Sequence, residues 1–206
     1  MALVKYNNNS ISAITEAAGV PSGAMTLIKS QTASSSSTIS FVHGTSDVVL
    51  DGTYPIYLFK FINIHPSADA AQFMVGFRDG GSNYDAPKTT TCFKAYHAED
   101  DAGNALVYET GNDMANSTSV AFLSSNIDND ADANLSGFMY LYNPSSTTYS
   151  KHFFSECVVL GATKYAYHDF IGGYCNVTAA IDGVQFTLDD GNIESGIIKL
   201  YGIKDS

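Results

Sequence analysis

The 206-residue chain is 45% hydrophobic and only 15% charged, a globular composition long enough to bury roughly 70% of its unfolded surface around one core. Ten Lys+Arg against 21 Asp+Glu give a formal net charge of -11, and Arg78 is the only arginine. Phosphate recognition leans on clustered positive charge and bidentate arginine, which argues against nucleic acid and anionic membrane as partners, and no apolar run approaches the roughly 20 residues of a bilayer-spanning helix.

The first predicted element is a short helix. Ser12 caps it, Ile11, Ile14 and Ala18 share one face, and Gly19 followed by Pro21 ends it. At about two turns it is an accessory. Residues 1–22, rich in Asn and Ser, read as an arm that docks on a neighbour. From Ala24 onward the hydrophobic period is two. Met25 to Ile28 and Thr38 to Val42 are the first strands, with Ser34 to Ser37 as a polar turn between them. Ile56 to Ile64 is the strongest strand signal, with Tyr57, Phe59 and Phe61 on one face and Leu58 and Ile62 on the other. A strand apolar on both faces lies between packed layers or at a subunit contact, which makes Tyr57 and Phe59 interface candidates.

Gln72 to Phe77, Thr89 to His97 and Ser119 to Leu123 follow as strands. The polar stretch from Ser124 to Asn134 is the longest interruption. Ser136 to Tyr142 is again apolar on both faces, so Phe138, Tyr140 and Tyr142 join the interface candidates. Thr148 to Leu160, Lys164 to Tyr174, Val184 to Leu188 and Ile197 to Ile203 complete the set. Asp-Gly pairs at Asp51-Gly52, Asp79-Gly80, Asp182-Gly183 and Asp190-Gly191 supply the positive φ that tight reversals need. About ten to twelve short strands separated by turns, with no βαβ alternation, predict an all-β antiparallel sandwich. The expectation is one jelly-roll-like domain over residues 23–206.

Cys92, Cys157 and Cys175 are odd in number, far apart and lack Cys-x-x-Cys spacing. Buried reduced thiols, made in a reducing cytoplasm, are the expectation, with a disulfide between one pair left open. Met1 to Lys5 runs into Tyr6 and Asn7 without an apolar leader core, so no signal peptide is expected. The sequons at Asn116 and Asn176 are then chance matches.

Few residues carry recognisable chemistry. Asp128, Asp130 and Asp132 alternate along an acidic loop whose oxygens suit a hard cation such as Ca²⁺. Against a calcium site, Ala133 stands where an EF-hand needs Gly, Met139 where it needs a bidentate Glu, and the flanks read as β. The simpler reading is a solvated turn. His97 beside Glu99, Asp100 and Asp101 offers an acid–base cluster, or simply a strand end entering an acidic loop. His43, His65, His152 and His168 are scattered and form no metal-binding spacing. The P-loop, Gly-x-Gly-x-x-Gly and Gly-x-Ser-x-Gly patterns are absent, so no cofactor is expected. For sugar binding there is no Trp, but Tyr84, Tyr142, Tyr149 and Tyr165 lie near turns where rings can be exposed.

Several stretches together resemble small virion structural proteins of marine tailed phages, especially those infecting cyanobacteria. They are Gly23 to Ser35, Tyr57 to Ala68, Lys88 to His97, Tyr142 to Thr148 with Lys151 to Phe153, Gly172 to Tyr174, Asn192 to Gly196 and Ile198 to Lys204. The resemblance spans nearly the whole chain. It implies a non-enzymatic β-sandwich module of the virion, associated with a tail fibre, spike or head decoration. It also implies synthesis in the bacterial cytoplasm and assembly with other virion proteins. It supplies no catalytic residues. The expected work is packing into a symmetric homo-oligomer, with a trimer as the expectation from fibres and spikes. The alternative is a receptor-binding module for host-surface glycan, marked by an exposed aromatic-lined groove with polar groups at its floor. A glycan hydrolase, the least favoured reading, needs a cleft with two carboxylates or a nucleophile beside a base.

Overall fold

The computed structural model describes residues 24–204. The expected helix around Ser12 and the docking arm of residues 1–22 lie outside the described residues. Thirteen strands follow in order. They are β1 (Met25–Thr32), β2 (Thr38–Val42), β3 (Ile56–Pro66), β4 (Phe73–Arg78), β5 (Lys88–Ala98), β6 (Asn104–Tyr108) and β7 (Met114–Ser117). Then come β8 (Ala121–Phe122), β9 (Leu135–Tyr142), β10 (Lys151–Leu160), β11 (Tyr165–Cys175), β12 (Gly183–Leu188) and β13 (Ile193–Ile203). No helix occurs among the described residues.

The strands form two antiparallel sheets in a sandwich-like arrangement. The larger has nine strands, ordered β1-β13-β3-β9-β10-β11-β5-β6, with β7 also paired to β5. The smaller is β2-β12-β4-β8. Register is continuous across the middle of the large sheet, where β9 and β10 pair from Phe153–Leu141 to Val159–Leu135 and β10 and β11 from Lys151–Cys175 to Leu160–Ala166. The β13–β3 ladder is interrupted by register shifts around Ser195. Gly196 sits there at a φ of 125°, and a Cβ at that position would lie 2.7 Å from the Asn63 carbonyl oxygen. Only glycine fits this kink.

The core lies where the small sheet faces β3, β9, β10 and β13. Phe41, Phe73 and Phe186 from the small sheet interleave with Phe59 and Phe61 from β3. Phe61 meets Phe73 and Phe186 edge-on at 5.0 and 5.1 Å between ring centroids, the geometry that aromatic quadrupoles favour. Tyr57 is also fully buried, and its hydroxyl is satisfied by the Asp51 backbone, donating to the carbonyl at 3.0 Å and accepting from the N–H at 2.9 Å. Tyr57 and Phe59 are therefore packing residues facing the second sheet. Of the two environments that the pattern of β3 allows, the structure places them between layers, not on a subunit contact.

Candidate functional site

Two surfaces of the large sheet stand out, one on each side. The first is its outer face, which the small sheet does not touch. Antiparallel partners point to the same side, so the registers define rows across this face. One row reads Lys199, Lys60, Phe138, Glu156, Phe170, Phe93 and Tyr108. A neighbouring row carries Leu27, Tyr201, Leu58, Tyr140 and Phe154. On the other side run Ser136, Val158, His168, Ala95 and Leu106. Met25, Ile203, Ile56 and Tyr142 make a fourth, shorter row.

Six of the seven exposed large hydrophobics among the described residues lie in these rows: Met25, Leu27, Phe93, Leu106, Tyr108 and Val158. Leu106 is 71% exposed and Val158 53%. Between them run stacked rings, Phe93 on Phe170 at 4.8 Å and Tyr140 on Phe154 at 5.1 Å. Glu156 is the only carboxylate in the four rows, in a chain that has 21. It lies 3.5 Å from His168. The interface candidates Phe138, Tyr140 and Tyr142 all belong to this face and are half-buried. Phe154, Phe170, Phe93 and Leu106 complete the patch. They escape a sequence reading because only the register shows that they are neighbours.

The second surface is the inner face of β11, β5 and β6. Along β5 the inward positions run Cys92, Lys94, Tyr96, and along β11 they run Asp169, Tyr167, Tyr165. Cys92 and Asp169 are fully buried, but beyond them the side chains line a groove of about 640 Å³. Lys94, Tyr96, Val107, Glu109, Thr163, Tyr165 and Tyr167 form its walls and floor. Tyr165 stacks on Tyr167 at 5.7 Å, and Tyr96 meets both edge-on at 5.5 and 6.0 Å. Lys94 Nζ is 3.2 Å from Glu109 Oε1 and sits 4.9 Å from the centre of the Tyr167 ring. The Tyr167 and Thr163 hydroxyls are 3.3 Å apart. At the inner end the Ser125 N–H and hydroxyl both donate to Asp169 at 2.7 Å, and burial raises the pKa of that carboxyl. Of the tyrosines that the sequence marks as exposable, Tyr165 lies in this groove. Tyr142 is on the outer face, Tyr149 is on an exposed loop and Tyr84 packs beside Gly76. Tyr96 and Tyr167 carry no turn signal and emerge only from the fold.

The acidic loop is answered by a cation from the chain itself. Lys164 Nζ donates to Asp128 Oδ2 and to Asp130 Oδ2, both at 2.5 Å. The ammonium holds the Asp128 carboxyl below its usual range, and the two carboxylates raise the lysine's pKa. Asp132 makes no such contact; its carbonyl accepts from the Asn134 amide at 3.3 Å. Among the described residues, no three His, Cys, Asp or Glu side chains converge as a metal cluster. His97 pairs only with Asp101, at 3.1 Å in an exposed turn, while Asp100 closes that turn on the Ala102 N–H. His43 accepts from the Leu50 N–H, and His65 hydrogen-bonds the Ala133 carbonyl. Arg78 makes a bidentate pair with Asp182 at 2.8 and 3.0 Å.

The sequence also hides a buried basic row. Lys151, Cys175 and Lys88 are register partners on three adjacent strands, and all three are fully buried. The lysines donate to single carbonyls, Lys88 to Ser119 at 2.6 Å and Lys151 to Val177 at 3.0 Å. Burial lowers both their pKa values and pushes the Cys175 thiol up to about 12.

Fold and surfaces together define a two-sheet, all-β protein with an aromatic-rich core, a largely apolar outer sheet face and a tyrosine-lined groove. Neither protein-family models, nor known proteins, nor solved structures give a match to this chain.

Proposed function

We propose that the chain is a non-enzymatic structural subunit of a tailed-phage particle, assembling through the outer face of its nine-stranded sheet with copies of itself and with neighbouring particle proteins. The observation that carries the assembly reading is the outer face itself. Seven strand spacings of about 4.8 Å by strands about 25 Å long give on the order of 800 Å², what each partner contributes to a standard stable interface. Apolar and aromatic side chains predominate on it, with Lys60, Lys199, Ser136, Glu156 and His168 interspersed, and an exposed patch of this character above a few hundred Å² is unusual on a soluble monomer and marks a contact surface. A single carboxylate on this face removes most of the like-charge repulsion that a chain of net charge -11 would otherwise carry into a contact with its own copy.

Placement in the virion rests on the resemblance of the sequence stretches to phage structural proteins. The chain also crosses between the two sheets repeatedly: β2, β4, β8 and β12 lie in one and the rest in the other. This supports a jelly-roll-like module, although the sheets are unequal. Closed cyclic symmetry, three-fold in the fibre and spike case, is the arrangement expected for the assembled copies. Sedimentation velocity of the purified chain, with peptide mass spectrometry of purified particles, tests both halves of the proposal. A chain that remains monomeric at high concentration, or is absent from particles, removes the corresponding half.

A further inference from the structure

From the inner face of β11, β5 and β6 we infer a saccharide-binding site, independent of the assembly face, in which Tyr96, Tyr165 and Tyr167 receive an uncharged sugar chain. Three half-exposed tyrosines lie within 6.0 Å of one another, ring centre to ring centre, and line one shallow, open groove. The face of an aromatic ring is electron-rich. The axial C–H groups of a pyranose, polarised by ring oxygens, are attracted to such a face through weak C–H···π contacts. The same site then needs hydroxyl partners at its edge. Here they are the Tyr hydroxyls, Thr163 on the rim and Glu109 beside Lys94.

Charge decides what kind of saccharide fits. Lys94 and Glu109 neutralise each other at 3.2 Å, so the floor presents no net field to an anionic or cationic ligand. Both ends of that pair still accept or donate hydrogen bonds to sugar hydroxyls. Asp169, the remaining carboxylate at the inner end, is fully buried under Ser125 and takes no part. Shape agrees. The floor crosses three strands, about 10 Å, the width of a pyranose chain lying along it. A volume of about 640 Å³ lies within the range of known ligand clefts. The mixed lining argues against a purely apolar ligand, which would strand Lys94 and Glu109 without water.

The test is saturation-transfer NMR on the full-length chain with maltohexaose, chitohexaose and the polysaccharide released from the host envelope, and a sulfated hexasaccharide as charged control. At least one neutral saccharide is expected to bind. Tyr165→Ala should weaken that binding by about tenfold or more, with the outer-face variant Phe93→Ala binding as wild type. If Tyr165→Ala fails to fold, Thr163→Arg serves, because Thr163 is exposed in the β10–β11 turn and a long side chain there covers the groove. The inference is overturned if no saccharide binds, if only the sulfated one binds, or if binding survives in the folded groove variants. It is equally overturned if a groove variant changes the sedimenting mass, since the groove would then be closed by protein.

Discussion

Val158→Lys is the sharpest probe of the outer face. Val158 lies on β10, the fifth strand along the large sheet, opposite Ser136 and His168. It is 53% exposed in the single chain, so a lysine stem can lie on the sheet with its head in water, and the isolated fold should change by no more than about 0.5 kcal/mol. Assembly changes the arithmetic. Full burial of a valine is worth about 1.5 kcal/mol or more, of which roughly half remains to be gained at the contact. The ammonium, by contrast, must lose its water, at several kcal/mol. Each interface should therefore weaken by about 3 kcal/mol or more, which is over a hundredfold in Kd. Sedimentation velocity across a concentration series reads the shift, and thermal unfolding under dissociating conditions checks that the subunit is intact. The reasoning fails if the variant assembles as well as wild type, or if it dissociates only because the subunit has melted.

Four other outcomes follow from the same structure. Cys92, Cys157 and Cys175 are buried, and desolvation raises their pKa values, to about 12 for Cys92 and Cys175. A thiol reagent at neutral pH should leave all three unreacted in the native chain and label three after denaturation. Lys88→Met should be close to neutral in stability, whereas Lys88→Ala, which leaves a cavity, should cost about 2–4 kcal/mol by chemical denaturation. Burial lowers the folded pKa of Lys88, so the unfolded chain binds more protons; stability from this group rises with pH between the folded pKa and the ordinary lysine value, and Lys88→Met should flatten that slope. Lys164→Ala should move acid unfolding to higher pH. The depressed Asp128 pKa contributes stability above the ordinary carboxylate value and loses it as pH falls through the folded one, and the substitution removes the cause. Arg78→Lys should cost about 1 kcal/mol in the denaturation midpoint, because lysine cannot keep both hydrogen bonds to Asp182.

Period-two alternation carries most of the fold. Thr38 to Val42 is observed as β2 with the expected bounds, and Ser136 to Tyr142 extends by one residue to Leu135 in β9. The strands that escape a sequence reading are β6 and β7. Both are short, and both lie on the outer edge of β5, among Asn, Asp and Gly. Edge strands of four or five residues bury little, so their pattern is weak. Ser119 to Leu123 shrinks to the two residues of β8 for the same reason. Tyr57 and Phe138 show the deeper limit. Both sit in strands apolar on two sides, and alternation identifies the two faces without saying which meets the second sheet. That choice is made by long-range pairing, since β3 hydrogen-bonds to β13 and β9, whereas its neighbours in sequence, β2 and β4, lie in the facing sheet. The groove depends on pairing even more. Tyr96 and Tyr167 are register partners more than 70 residues apart in the chain.

The two faces of the β11, β5 and β6 region differ in a way that packing alone does not require. The small sheet spans four strands and the large one a path of eight, so part of the large sheet's inner face is left without a partner sheet. If exposed strands simply tolerated water, both sides of this region would carry similar residues. They do not. Inward, the side chains pass from Cys92 to Lys94 and Tyr96, and from Asp169 to Tyr167 and Tyr165, so polar tips appear as the core ends. Outward, the same strands carry Phe93, Phe170 and Leu106, with His168 and Tyr108 as the polar side chains among them. Tyrosine suits a surface that is alternately wet and occupied by a polar ligand. Exposed phenylalanine, leucine and valine clustered on one face suit a surface that a partner covers. The difference is what the proposed saccharide site on the inner surface and the proposed assembly contact on the outer one would each require. The distinction comes from opposite sides of single strands, where local sequence context is shared and only the destination of each face differs.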